Sequence, residues 1–89
     1  MKKNYEFTLH IDLLINKKHK ELHVPLMEKA NNSIEATNQA ICKCGLREDE
    51  DYNYEFLQKH LEECGVSEVS AKHCIESIGI SLAKEIQLV

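Results

Sequence analysis

LQKHLEECGVSEVSAKHCIESI, residues 57–78, carries two helical patterns hinged on Cys64-Gly65-Val66. Upstream of the hinge, Tyr54, Leu57, Leu61 and Cys64 recur at spacings of three and four, which puts four apolar groups on one stripe of a helix. Gly65 accepts the left-handed backbone needed one residue past a helix end, and Val66 is the apolar residue expected to fold back on the last turn. Ser67 then offers its hydroxyl to the free amides of a second helix, with Glu68 beside the positive end of its dipole. Ala71, Cys74 or Ile75, Ile78, Leu82, Ile86 and Val89 continue at helical spacing, with Gly79 placed to divide residues 67–77 from 80–88. The stretch predicts a helix, a tight corner and a second helix.

Working outward, the same stop signal occurs at Cys44-Gly45-Leu46. Before it, Leu26, Ala30, Ile34, Thr37, Ile41 and Cys44 trace a helical stripe, weakened by Asn31-Asn32-Ser33. That predicts one helix from Pro25 to Cys44, or a turn followed by a Ser33-capped helix over 34–44. Residues 5–15 alternate, with Tyr5, Phe7, Leu9, Ile11, Leu13 and Ile15 on one face and Glu6, Thr8, His10, Asp12 and Leu14 on the other, the period of a half-buried strand. A helix through Phe7, Ile11, Leu14 and Lys18 is the competing pattern. Residues 16–20 read as a polar turn, and Leu22, Val24 and Leu26 as a second strand that Pro25 limits. The fold expected is α+β in a single domain over residues 1–89: an N-terminal β-hairpin within 1–24, packed against three or four short α-helices in 25–89.

At 89 residues, 43% hydrophobic and 29% charged, the composition is that of a globular chain, not a disordered one. No apolar run reaches the ~20 residues of a membrane span, and the start at Met1-Lys2-Lys3 leads into alternation instead of a signal-peptide core, so a soluble, cytoplasmic protein is expected. The four cysteines then read as reduced thiols. The net charge of −4 is uneven: residues 1–24 hold five lysines against three acids, and residues 25–89 hold six basic against twelve acidic groups. An acidic helical half makes nucleic acid an unfavoured partner, because such binding rests on neutralising phosphates.

Candidate ligands for zinc are Cys42, Cys44, His60 and Cys64. His60 and Cys64 share a helix face, but a Cys-x-Cys pair at a helix end directs its two thiols about 200° apart, and no Cys-x-x-Cys spacing is present. Metal and cofactor are therefore expected to be absent, with a small zinc-binding module as an alternative. Cys64 stands beside Glu62 and Glu63, which disfavour a thiolate, and no nucleophile elbow, phosphate loop, zinc-protease motif or calcium loop occurs. An enzyme is not expected.

The central stretch resembles two families. Leu61, Gly65-Val66-Ser67 and Cys74 fall where helix-turn-helix repressors place their packing residues and turn, which implies a recognition helix over 68–75 that offers Lys72 and His73 to phosphate. Cys64-Gly65-Val66, Ala71, Cys74-Ile75, Gly79, Leu82, Ala83 and Ile86 also resemble ubiquitin-associated domains and the N-terminal domain of elongation factor Ts, which implies three-helix packing. The chain departs from both patterns: Leu61 is bulky where the repressors place alanine, and Val66 replaces the large corner residue of the second family.

The function expected is a small, non-enzymatic regulatory or inhibitory protein acting through protein contact, with a helix-turn-helix DNA-binding regulator as the second alternative. Its candidate contact residues are Glu48, Asp49, Glu50 and Asp51, joined by Glu55 and Glu62. A homodimer is also expected, made by pairing hairpins or by burying the Tyr5, Phe7, Leu9 face between subunits.

Overall fold

A computed structural model describes residues 2–67 and 70–87 of the chain. Two thirteen-residue strands, β1 (Lys3–Ile15) and β2 (Lys18–Ala30), form a hairpin whose whole turn is Asn16-Lys17. Both turn residues have positive φ, 51° and 66°, the backbone of a two-residue turn whose twist matches that of the flanking strands. The ladder therefore starts at the turn itself. Lys18, His19 and Lys20, read from sequence as loop, pair with Ile15, Leu14 and Leu13.

The alternation of β1 holds. Tyr5, Phe7, Leu9, Ile11 and Leu13 are buried, while Leu14 on the other face is 39% exposed, which removes the competing helix. β2 continues through Pro25 to Ala30, six residues beyond the expected hairpin limit at Val24, because Pro25 sits where it breaks no bond. Its partner Thr8 directs both backbone groups the other way, its N–H to Ser81 Oγ at 2.8 Å and its carbonyl to the Ser81 N–H at 3.0 Å. Thr8 and Pro25 thus form a non-hydrogen-bonded pair, and the nitrogen without a proton faces the free edge of β2.

Of the two readings for residues 25–44, the structure takes the turn followed by a helix, α1 (Ser33–Cys44), capped not by Ser33 but by Asn32, whose side chain accepts the Glu35 N–H at 2.8 Å. Leu26 and Ala30 satisfy a period of two as well as of four, and pairing with β1 decided for the strand. Ala36, Ala40 and Cys44 face the sheet with no exposure, so α1 lies close over it; Ile34, expected inward, is 74% exposed. α2 (Tyr54–Glu63) buries Leu57 and Leu61 as its spacing predicts. Both glycine stops are present: Gly45 at φ 70° and Gly65 at φ 86°, with Leu46 N–H donating to Ile41 O at 3.1 Å and Val66 N–H to Leu61 O at 2.9 Å.

The second half of residues 57–78 departs from its reading. The helix there, α3, has four residues, Ala71–Cys74; the chain then enters β3 (Ile75–Ile80), and later β4 (Lys84–Ile86). Expectations resting on Glu68, Val69, Leu88 and Val89 lie outside the described residues. β3 and β4 both pair antiparallel with β1, so the sheet order is β2-β1-β3 with β4 beside the start of β1. The reason is the second edge of β1: its unpaired backbone groups border an apolar face and need a partner. Ile75, Ile78 and Ile80 supply β-branched side chains, with a bulge opposite Asp12 and Leu13. The α+β class stands, but residues 25–89 are helical only in part. Of the second helix on which the helix-turn-helix and ubiquitin-associated likenesses rest, the described residues hold the four of α3, Ala71–Cys74, before the chain turns into β3.

The helices cover the inner face of the sheet, so Tyr5, Phe7 and Leu9 are buried within one chain and offer nothing to a second copy. Of the two dimer arrangements read from sequence, the fold leaves open only pairing along the β2 edge.

Candidate functional site

Glu48, Asp49, Glu50 and Asp51 are all exposed in the loop between α1 and α2. The loop is short-circuited at its base by Asn53. Its backbone N–H donates to Cys44 O at 3.0 Å, its side-chain amide donates to Lys43 O at 3.0 Å, and its Oδ1 accepts the Phe56 N–H at 3.2 Å, capping α2. One residue thus ties the end of one helix to the start of the next. Within the loop, Glu50 N–H donates to Arg47 O at 3.0 Å, and Tyr52 and Tyr54 meet edge to face with centroids 6.1 Å apart. The four acids stand outside the first turn of α2, where Glu55 alone interacts with its dipole.

Glu55 and Glu62 share the solvent side of α2, since seven residues make nearly two full turns, about 200° from Leu57 for Glu55. Lys59 falls between them on that side, so the acidic surface is broken by one positive charge. Among the described residues none of these six carboxylates is in an ion pair. The acid that is buried lies elsewhere: Glu28, opposite Tyr5 on the inner face, where Lys43 reaches from α1 to Oε2 at 3.0 Å and Oε1 at 2.9 Å. Only the first contact is aligned as a hydrogen bond, and Oε1 has no other partner. The pair borders an open groove of about 870 Å³ lined also by Ile34, Asn38 and Cys42.

The cysteine candidates do not converge. Cys42 and Cys64 are exposed, Cys44 is buried as the last residue of α1, and among the described residues no three metal-ligating side chains drawn from Cys42, Cys44, His60 and Cys64 come together. His60 instead stacks edge-on against Phe56, with centroids 4.4 Å apart. Burial first, and then the charge of Glu28, push the Cys44 thiol up to about 11 from an ordinary 9.0, against an opposing effect of Lys43. A thiol reagent is therefore expected to modify Cys42 and Cys64 fast and Cys44 only when the chain opens, as peptide mapping of a time course will show. The unfolded chain ionises this thiol first, so the stability it contributes is complete below pH about 9 and is lost as pH rises toward 11. Thermal melts of wild type and Cys44→Ala across that window check the sign: the variant shows the shallower alkaline decline.

Sequence reading missed a constellation on the outer face of the sheet. His10 on β1 stands directly opposite His23 on β2, their rings 4.5 Å apart between centroids, and Glu21 lies two residues before His23 on the same face. Glu21 Oε1 is 2.9 Å from His23 Nε2 and 3.5 Å from His10 Nδ1. A carboxylate only accepts, so each of these ring nitrogens carries the proton. The hydrogen bond from His23, followed by that from His10, holds the Glu21 carboxyl below its usual range. The signal was in the turn: once Asn16-Lys17 is the whole connection, His10 must face His23.

No helix among the described residues is long and apolar enough to cross a membrane. The sequence matches no protein-family model and no curated protein, and the fold matches no solved structure.

Proposed function

We infer that this chain is a small, non-enzymatic binding protein of regulatory or inhibitory type, and that it docks a basic protein partner on the acidic loop between α1 and α2. The observation that supports this reading is a loop stapled at its base by Asn53 while Glu48, Asp49, Glu50 and Asp51 stay exposed and, among the described residues, without ion-pair partners. A fixed base holds the charges at set positions before a partner arrives, so less order is lost on binding. Unpaired carboxylates attract a basic surface over a Debye length of about 8 to 10 Å, which raises the association rate more than the final affinity. Tyr52 and Tyr54, half-buried beside the loop, add amphipathic contact area of the kind that anchors interfaces. Glu55 and Glu62 extend the surface along α2, with Lys59 as a register mark.

The test is capture from the source cell followed by quantitative binding of the captured protein. The triple change Glu48→Lys, Asp49→Lys, Asp51→Lys is expected to abolish binding and to change stability by no more than about 0.5 kcal/mol per site, because exposed charges contribute little. Binding of the wild type is expected to weaken with salt. A partner indifferent to the triple change returns the loop to a solvated connection, and tight wild-type binding to random duplex DNA at physiological salt overturns the reading.

A further inference from the structure

The outer face of the sheet brings three metal-ligating side chains to one point, and we propose that His10, Glu21 and His23 form a binding site for a borderline divalent cation, Zn²⁺ or Cu²⁺. His10 Nδ1, Glu21 Oε1 and His23 Nε2 all lie within 4.8 Å of one another. A tetrahedral ion with bonds of about 2.0 to 2.1 Å requires donors about 3.3 to 3.4 Å apart. The two distances from Oε1, 3.5 and 2.9 Å, bracket that requirement. The remaining edge closes by side-chain rotation, since His10, Glu21 and His23 side chains are 45%, 57% and 57% exposed and are not locked by packing.

The backbone supplies the rigidity that the side chains lack. His10 and His23 occupy a non-hydrogen-bonded pair, the position where opposed side chains on an antiparallel ladder stand closest. The donors come from the centre of two long strands and not from a loop, so their spacing survives without a ligand. Asp12 lies opposite Glu21 on the same face, with Ser77 Oγ donating to its Oδ2 at 2.7 Å. Two carboxylates facing each other across a ladder repel, and a cation between the strands offsets that repulsion.

Two imidazoles and one carboxylate select the class of ion. Imidazole suits zinc and copper, whereas calcium and magnesium require a shell of oxygens that this face does not hold. The protons on His10 Nδ1 and His23 Nε2 occupy the space a cation takes, so binding requires each ring to take its other tautomer, with the proton on His10 Nε2 and His23 Nδ1. Three protein donors leave a fourth position for water or for a donor from another molecule. The site lies on the sheet and does not rest on the acidic loop.

The full chain, freed of metal and kept reduced, is titrated with Zn²⁺ by calorimetry while histidine ring signals are followed by NMR; Cu²⁺, which oxidises exposed thiols, is titrated without reductant into the Cys42→Ser, Cys64→Ser chain. One equivalent is expected to bind, moving the His10 and His23 rings and leaving those of His19, His60 and His73 in place. His10→Gln, Glu21→Gln and His23→Gln are each expected to weaken binding at least tenfold, the lower range for disturbing even a supporting partner of a metal ligand. The double change Cys42→Ser, Cys64→Ser is expected to leave it unaltered, and circular dichroism of every variant to match wild type. Failure to saturate near one equivalent, or binding unchanged in His23→Gln, overturns the proposal; loss of binding in the double cysteine variant does so too, by assigning the ion to the exposed thiols.

Discussion

Gly45→Val is expected to destabilise the protein by about 3 kcal/mol or more, a large share of the stability of a chain this size. Two effects add. Gly45 has φ 70°, a conformation in which a β-carbon costs roughly 1 to 2 kcal/mol. A β-carbon there would also collide with the backbone carbonyl oxygen of Asp51 and lie 2.8 Å from the Asn53 nitrogen. The Asn53 nitrogen belongs to the staple at the base of the acidic loop, so it can give way only by straining its bond to Cys44 O. Gly65 makes the control. It has φ 86° but nothing within 4 Å of its added β-carbon, so Gly65→Ala is expected to show the backbone cost alone, about 1 to 2 kcal/mol. Urea unfolding of the two variants decides the matter; equal losses would mean that the close approach at Gly45 is drawn wrongly.

Leu9→Ala is expected to cost about 2 to 5 kcal/mol. Leu9 sits at the centre of the central strand, fully buried, opposite Val24 on β2 and Ile80 on β3. Truncation removes its transfer energy and leaves a cavity that two neighbouring strands and the overlying helices cannot both close. Leu14→Ala, on the outer face at 39% exposure, is expected to cost less than about 1 kcal/mol. Denaturant midpoints of the pair test which face of β1 is covered. A smaller loss for Leu9 than for Leu14 would turn the sheet over.

Much of the scaffold was legible before any coordinates. The alternation of residues 5–15 favoured a strand over the competing helix, a choice that the burial of five large side chains on one face made, and Leu57 with Leu61 marked the buried side of α2. The two glycine stops were legible because a left-handed residue followed by an aliphatic one is a local device, closed within six residues. The acids of the loop were legible as exposed, but not the Asn53 staple that positions them, since it joins two helices. Ile34 was misplaced because a helix stripe can be read at two phases, and only the close approach of Ala36 and Ala40 to the sheet chooses between them.

The sequence by itself outlined the elements whose stability comes from contacts between near neighbours: an alternating strand, the buried stripe of α2 with its glycine stop, the glycine stop of α1 and the exposed acids. The tertiary structure alone decided the rest. Residues 75–80 carry isoleucines at spacings that fit a helix or a strand, and the vacant edge of β1, more than sixty residues away, made them a strand. Pro25 remained in a strand because its missing proton faces the free edge. The meeting of His10, Glu21 and His23 depends on which residues oppose each other across the hairpin; shortening the connection to Asn16-Lys17 brought them together. A register is a relation between two segments, and the pattern of either one leaves it open.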